Sequence, residues 1–421
     1  MKKIIFVLIF SLGFNFLVEA EEIDLTLEEA IAIALRENRE ILLKAEQIEK
    51  ARLRLAESKS VLFPNLSLSG TLTETRGYYS KEPSQVSANL SLKQILYKGG
   101  RIINTIKYSE YGLEVAEAVL DRTKLELVLN VKKAFYTLLL TKEYANLNKE
   151  ILENTQRHLE SLKIRYENGQ ASESELLRLN QALSNVKSIY QASLNQIEAC
   201  LALLRNLLYL EEGISINPLG EFTYEPKELA YDEGLLLALK KRPEIRQYEA
   251  QKKANQKQIE IVKADTRPTI YASWDYYSRS HTVGLTGLSK NWNDYNILGI
   301  NISWPIFDGW QTKAKLQQAI VDLKETQLTK EKLIKDIALE LKRAYLDLKD
   351  TIEKLKVKEN EVLTYEDNLK VLTRRYREGM VSDLDLMDAE LQCKIAQFNK
   401  KEAIYDYLMA KTAFDKATGG I

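Results

Sequence analysis

The chain has 421 residues, and its 60 basic side chains balance its 60 acidic ones, so the formal net charge is zero. This balance argues against nucleic acid as a partner, because a nucleic-acid-binding protein presents a basic surface. Two cysteines exclude a disulfide framework, and two histidines with no cysteine or second histidine nearby give no cluster for zinc or copper, so we expect no metal site and no cofactor.

Residues 1–20 are predicted to be a signal peptide. Lys2 and Lys3 form a basic start, Ile4–Leu12 is an apolar run too short for a stable membrane anchor, and a small residue precedes the predicted cleavage before Glu21. No cysteine follows the apolar run, so lipid attachment is not predicted, and no later stretch is apolar enough for a transmembrane helix. An exported chain of this kind is periplasmic, secreted or an outer-membrane barrel.

A helix is the first predicted element of the mature chain. Thr26 as N-cap and Glu29 at the third helical position form a capping box, and helical periodicity continues to about Leu62, before Pro64. Two strands with a period of two follow, and a polar loop containing Pro83 separates them. Their apolar rows are Leu66, Leu68, Gly70 and Leu72, then Val86, Ala88, Leu90 and Leu92.

A second pair of alternating strands lies in the other half of the chain. Its apolar rows are Ile270, Ala272, Trp274 and Tyr276, then Leu298, Ile300, Ile302 and Trp304. Each strand has about ten residues, the length of a tilted transmembrane strand. The polar rows are small and rich in hydroxyl groups, which favours a wet lumen over the alternative, a soluble half-buried sheet.

A glycine turn and a very long helix follow each pair of strands. The turns are Leu96–Gly100 and Ile306–Trp310, and the helices continue without proline to about Asn168 and Glu378. At 1.5 Å per residue, each helix reaches roughly 100 Å. A coiled-coil-like packing stripe is predicted at Leu125, Val128, Leu129, Lys132, Phe135, Tyr136 and Leu139, and at Ile337, Leu341, Ala344, Tyr345 and Leu348.

The chain is a tandem duplication. Arg165–Gly169 returns as Arg375–Gly379, displaced by 210 positions (376 − 166), with the same order of elements around each copy. We predict a first repeat at 21–210, an irregular linker at 211–231 and a second repeat at 232–421. In the second repeat a helix restarts at 232–241 and breaks at Pro243.

Four strands cannot close a barrel, and an open sheet edge in lipid leaves unpaired backbone groups at several kcal/mol each. The sheet must therefore close with other copies of the chain. Two copies give eight strands with a filled interior, whereas three give twelve strands and an open pore, which the small polar faces favour. The hairpins lie at one end of the strands and the helices leave from the other, so we expect the helices to continue into the periplasm.

Six segments in this order resemble the TolC-type outer-membrane efflux proteins, or outer membrane factors. They are Leu27–Glu40, Leu96–Arg101, Tyr166–Gln181, Glu233–Glu244, Trp304–Trp310 and Tyr376–Gln392. The resemblance implies an α+β membrane protein: a homotrimeric twelve-stranded β-barrel in outer-membrane lipid, with four strands per chain, continued by a long periplasmic α-helical coiled-coil barrel. It also implies docking onto a periplasmic adaptor (membrane fusion) protein and an inner-membrane pump.

Two acidic residues stand out beside the second helical hairpin tip. Glycine turns and capping boxes are predicted at both tips, so Asp385 has a local role as a capping residue. Asp388 lies beyond the first helical turn, where capping does not explain it, and its counterpart in the first repeat is Arg178 (388 − 210). Asp385 and Asp388 are three residues apart and share one helix face, so a trimer would present six carboxylates.

The resemblance gives these positions roles. It implies that Asp385 and Asp388 form acidic rings at the closed end of the tunnel, and that Glu175 and Tyr376 hold the two hairpins together. The chain departs from the family at Val381, where the family pattern has an arginine. The adaptor-docking tips match Gly169, Gln170, Ala171, Ser172, Gly379, Met380, Val381 and Ser382.

The favoured function is a passive outer-membrane exit duct of a tripartite efflux or type I secretion system. No nucleophile–base pair, phosphate loop or metal cluster is present in the sequence, so we do not predict an enzyme. The alternative is a periplasmic coiled-coil structural or adaptor protein without a pore. A general porin would not need long periplasmic helices. The sequence leaves open the cargo (drugs, metal ions or polypeptides) and the class of pump.

Overall fold

The computed structural model describes residues 22–74, 83–211, 213–220, 222–224, 230–283 and 292–420. Helices dominate it, and six strands form two sheets. In chain order the elements are β1 Glu22–Leu25, α1 Leu27–Glu37, α2 Arg39–Ser60, β2 Asn65–Glu74, β3 Pro83–Lys98, α3 Arg101–Glu167, α4 Glu173–Leu208, β4 Ser215–Pro218, α5 Tyr231–Lys241, α6 Pro243–Lys263, β5 Thr269–Val283, β6 Asn293–Ser303, α7 Gln311–Arg377 and α8 Asp383–Thr418.

The duplication is visible in the lengths of the elements. Helices α3 and α7 each have 67 residues, and helices α4 and α8 each have 36. The chain packs as two compact units, each built from segments of both predicted repeats. One contains residues up to 39 with 127–228 and 346–413, and the other contains 40–126, 229–345 and 414 onward. The repeat boundaries drawn from the sequence stay a prediction.

The first unit is a helical assembly with a small sheet. Strands β1 and β4 pair in parallel, with Ile23 opposite Ile216, so part of the linker predicted to be irregular is a strand. Sequence periodicity missed it because four residues are too few to show alternation. The largest fully buried side chains of this unit are Val131, Phe135, Leu138, Leu204, Leu208, Ile216, Leu355 and Tyr407.

The predicted stripe on α3 was placed partly wrong. Phe135 and Leu139 are buried, as expected, but the continuous buried row is Leu127, Val131, Ala134 and Leu138. Apolar residues surround much of this part of the helix, so the sequence does not mark one face. On α7 the prediction was confirmed for Ile337, Leu341, Ala344 and Leu348, which are buried, whereas Tyr345 is half-buried.

The second unit contains the main sheet. Its strand order is β2-β3-β5-β6, and every neighbouring pair is antiparallel, so β2 and β6 are its edges. The four predicted strands are confirmed, but β3 and β5 are longer than expected, with 16 and 15 residues. Pro83 begins β3 rather than lying in a loop, which is a strand position that proline tolerates.

The helix predicted to continue from Thr26 to about Leu62 is two helices. The chain is extended at Asn38, between α1 and α2, and the Asn38 side chain donates a hydrogen bond to the Leu207 carbonyl at 3.1 Å. This tertiary contact is not visible in the local sequence. The break predicted at Pro243 is confirmed, and the preceding Arg242 is buried and pairs with Glu340 at 2.7 Å.

Among the described residues, no helix has both the length and the apolar character that crossing a membrane requires.

Candidate functional site

The first hairpin tip, between α3 and α4, is closed by backbone hydrogen bonds around Gly169. This glycine has φ +69°, and its N–H donates to the Tyr166 carbonyl at 2.9 Å. The next N–H, of Gln170, donates to the Arg165 carbonyl at 2.8 Å. This pair of bonds is the Schellman pattern, which satisfies carbonyl groups at the end of a helix and requires a left-handed residue.

The second tip, between α7 and α8, repeats that geometry. Gly379 has φ +74°, and its N–H donates to the Tyr376 carbonyl at 2.9 Å. The Met380 N–H donates to the Arg375 carbonyl, also at 2.9 Å. No atom lies within 4 Å of the place that a Cβ would take on Gly169 or Gly379, so backbone conformation alone requires glycine there.

Each helix that follows a tip begins with the predicted capping box. At the first tip the Ser172 hydroxyl accepts the Glu175 N–H at 3.3 Å, and the Ser172 N–H donates to Glu175 Oε2 at 2.7 Å. At the second tip the Ser382 hydroxyl accepts the Asp385 N–H at 3.2 Å, and the Ser382 N–H donates to Asp385 Oδ2 at 3.3 Å. Both boxes are confirmed.

The cap at the first tip holds a negative charge. Hydrogen bonds from the backbone N–H and then the hydroxyl of Ser172 lower the pKa of the Glu175 carboxyl, and Arg165 and Arg178 lower it further. Glu175 therefore stays ionised at neutral pH as a fully exposed anion at the start of α4, where the helix dipole favours it.

Asp385 and Asp388 lie one turn apart on α8. Asp385 is the capping acceptor described above. Asp388 is 67% exposed, and its Oδ1 lies 3.9 Å from Nε2 of His158 on α3. Asp388 therefore lies where α8 faces α3, and the convergence of the acidic pair on a pore axis stays a prediction.

Sequence reasoning missed two polar residues of α3 that contact α8 at Met387 and Asp388. His158 is 18% exposed, and Asn154, one helical turn earlier on α3, is buried and donates to the Met387 carbonyl at 3.5 Å. The signal was present, because polar residues interrupt the apolar pattern of α3 at i and i+4. This interruption could not be interpreted from the sequence, because the helix that packs against it, α8, was not known.

The proposed inter-hairpin contact between Glu175 and Tyr376 stays a prediction. The Glu175 carboxylate is engaged with Ser172, and Tyr376 is 40% exposed. The docking residues predicted at the tips are mostly accessible. Met380 is 72% exposed, whereas Ala171 and Val381 are half-buried.

The edges of the main sheet form a second notable surface. Strand β2 exposes Leu66, Leu68 and Leu72, and strand β6 exposes Ile297, Leu298, Ile300 and Ile302. Apart from Ile297, which lies in the opposite row, these side chains alternate with Ser, Thr, Asn and Gly, so each edge strand has a mainly apolar and a mainly polar face. A soluble protein rarely exposes apolar residues along both edges of one sheet.

A two-faced sheet joined to helices of 67 residues with matching tips defines a subunit of an outer-membrane exit duct. The family model for outer membrane efflux proteins matches residues 30–209 and 235–420. The chain is 24% identical to the probable outer membrane lipoprotein SilC of Salmonella typhimurium, covering 94% of this chain and 86% of that one. It is 23% identical to the alkaline protease secretion protein AprF of Pseudomonas aeruginosa, covering 94% and 85%.

The fold agrees with solved structures. The outer membrane protein VceC of Vibrio cholerae aligns with a TM-score of 0.75 and 18% identity, over 94% of this chain and 96% of that one. The chain belongs to the outer membrane efflux protein family. It is a transport protein of the outer membrane that serves as an exit duct, as the TolC-type resemblance predicted.

Proposed function

We propose that three copies of this chain close their sheets into a twelve-stranded barrel, which conducts substrates passively out of the cell. The observation that carries this proposal is the pair of open edges on the four-stranded sheet, β2 and β6, with exposed apolar rows. Neither edge can remain unpaired in lipid, where each unsatisfied backbone group costs several kcal/mol. Twelve strands leave a lumen wide enough for transport.

The hairpin tips are the proposed docking surface for a periplasmic adaptor, which links the duct to an inner-membrane pump. Their support is local: each tip is an exposed turn held by a Schellman pattern and a capping box, so its shape is fixed without a partner. Asp385 and Asp388 form the proposed acidic constriction, and Glu175 and Tyr376 the contact between hairpins that keeps it closed.

The duct performs no catalysis, and the pump supplies the energy and selects the cargo. The relatives support this division, because one is named for protease secretion and others for antibiotic or toluene efflux. Chains of one architecture thus carry names that refer to different cargoes.

Mass and conductance test the proposal together. Detergent-solubilised protein should have the mass of a trimer by light scattering, and it should form channels in planar bilayers. Tyr376→Phe should raise the open probability of those channels by removing a hydroxyl that holds the hairpins. A stable monomer without conductance would instead support the alternative, a periplasmic structural or adaptor protein.

A further inference from the structure

The internal duplication contains information about how one copy pairs with the next. Strand β2 pairs with β3 with Asn65 opposite Lys93, and β5 pairs with β6 with Thr269 opposite Ser303. These pairs are related by shifts of 204 positions (269 − 65) and 210 positions (303 − 93). The other ends of the two hairpins follow the same shifts, because Glu74 lies opposite Ser84 in the first and Ser278 lies opposite Asp294 in the second.

The pairing of β3 with β5 is therefore the one strand pairing in this sheet that has no counterpart within the chain; we call it the joint between the repeats. Strand β3 pairs with β5, with Lys93 opposite Ser273. The same shifts can be applied to this joint. Adding 210 to a β3 position gives its equivalent in β6 (93 + 210 = 303), and subtracting 204 from a β5 position gives its equivalent in β2 (273 − 204 = 69). The result is an antiparallel pairing of β6 with β2, which are the two free edges of the sheet and can meet only between copies.

We infer that β6 of one copy pairs with β2 of the next copy in the register that places Ser303 opposite Ser69. The neighbouring pairs follow from the same shifts. Trp304 lies opposite Leu68, Ile302 opposite Gly70, Asn301 opposite Thr71, and Ile300 opposite Leu72. This inference rests on the proposed function, because it takes ring closure as given and adds the register.

The two faces of the strands agree with this register. The inferred pairs join apolar positions to the apolar row and polar positions to the polar row. A slip by one residue would instead place each apolar row against a polar one, on the wrong face of the sheet. The shifts were obtained from the pairing inside the chain and not from hydrophobicity, so this agreement is an independent check.

The unpaired residues after β6 also fit. Residues 94–98 of β3 extend past its pairing with β2, and β5 is the strand that pairs with them, with a bulge between Ile95 and Tyr97. Their counterparts, 304–308, lie outside β6, and three of them are widely exposed: Trp304 at 63%, Ile306 at 91% and Phe307 at 74%. In the inferred register they extend β6 along Asn65–Leu68 of the next copy.

The turn that follows completes the joint. Within the chain, Arg267 covers Gly99, and its guanidinium donates to the Gly99 carbonyl at 2.7 Å. The shifted pair is Gly309 (99 + 210) and Phe63 (267 − 204). Gly309 has φ +65° with open space above it, and Phe63 is 71% exposed. Phe63 of one copy thus covers Gly309 of its neighbour.

Cysteine pairs test the register directly. Cα atoms of directly opposed residues lie about 4.5–5.5 Å apart, within disulfide reach, whereas residues two positions off register lie beyond about 7 Å. In a background with Cys200→Ala and Cys393→Ala, the pair Ser69→Cys with Ser303→Cys should give a covalent trimer on oxidation. The pair Thr71→Cys with Ser303→Cys, on the same face but out of register, should not.

An internal pair serves as the positive control, because Lys93→Cys with Ser273→Cys should form an intramolecular disulfide at the equivalent joint. Light scattering on the reduced samples measures trimer formation separately from the register of β6 and β2. A trimer that crosslinks at Thr71 and not at Ser69 would overturn the register and leave the proposed function standing. A monomer would overturn both.

Discussion

Ser172 and Ser382 close the two hairpin tips in the same way, but the acid that completes the box differs in length. Glu175 reaches the Ser172 N–H at 2.7 Å, whereas Asp385, one methylene shorter, reaches the Ser382 N–H only at 3.3 Å. The hydroxyl contacts show the opposite order, because the Ser382 hydroxyl donates to Asp385 Oδ2 at 2.6 Å and the Ser172 hydroxyl donates to Glu175 Oε2 at 2.9 Å. Both caps are therefore complete, and each acid lies closer to a different donor of its serine. Asp385, which lies closer to the serine hydroxyl, is also the acid proposed to face the pore.

The charge of Glu175 gives the first tip a predictable pH dependence. Its pKa is lowered in the folded chain, so the stabilisation is complete above the ordinary titration range near pH 4.3 and is lost as pH falls through the lowered value. We expect hydrogen-exchange protection of the Ser172–Glu175 segment to be constant from pH 7 to about 5 and to fall below about pH 4. Glu175→Gln, which still caps, should remove this dependence. An unchanged profile in that variant would contradict the assignment.

The acidic pair has its own test in channel recordings. A trivalent cation applied from the periplasmic side should block the parent channel by bridging several carboxylates. Asp385→Asn with Asp388→Asn should abolish the block and reduce cation preference. The amide oxygen introduced at position 385 can still accept from Ser382, so the tip should stay folded. Equal block of the parent and the double variant would show that these carboxylates do not line the constriction.

At the scale of elements, much of the fold was predictable because the tandem duplication gives each pattern in two copies. Capping boxes, alternating strands and long helices without proline each have a local signal, and all were found. The break at Asn38 was not, because it depends on a hydrogen bond to the Leu207 carbonyl from a distant helix. His158 likewise became interpretable only when α8 placed Asp388 beside it.

The glycine that ends α7 should control docking through the shape of the turn. Gly379→Val forces a β-branched residue into a left-handed conformation, at a cost of at least about 1–2 kcal/mol, and should distort the tip. Crosslinking to the adaptor should fall while trimer assembly is retained. Gly379→Asn is the matched control, because asparagine tolerates that conformation. Full crosslinking by the valine variant would argue against docking at this tip.

The two strand-to-helix turns should respond differently to the same change. A Cβ on Gly99 would lie 2.8 Å from the Arg267 Cβ, so Gly99→Ala combines backbone strain with a clash and should destabilise the chain by several kcal/mol. Gly309→Ala should add only backbone strain of about 1–2 kcal/mol, because no atom of its own chain lies within 4 Å of the new Cβ. Denaturant unfolding measures both, and equal losses would contradict the packing described for Gly99.

At the scale of the whole molecule, the proposed barrel has one face of the sheet in lipid and the other in the lumen. Leu72 lies on the apolar face of β2 and is 58% exposed in the single chain. Leu72→Lys should reduce the yield of heat-resistant trimer, because a lysine facing lipid costs up to about 2–4 kcal/mol near the bilayer midplane. Thr71→Lys, on the neighbouring lumen position, should assemble normally. The reverse result would show that the faces are assigned the wrong way round.

The ion pair between Arg101 and Asp265 distinguishes the joints inside the chains of the proposed ring from the joints between chains. Inside each chain this pair and Arg267 join the two repeats at their turns. The shifted positions between chains are Gln311 and Val61, which carry no charge. Raising ionic strength screens the Arg101–Asp265 pair at the joint inside each chain, and the equivalent positions between chains have no such pair to screen. In the proposed ring of six similar repeats, the contribution of this ion pair therefore repeats three times and not six.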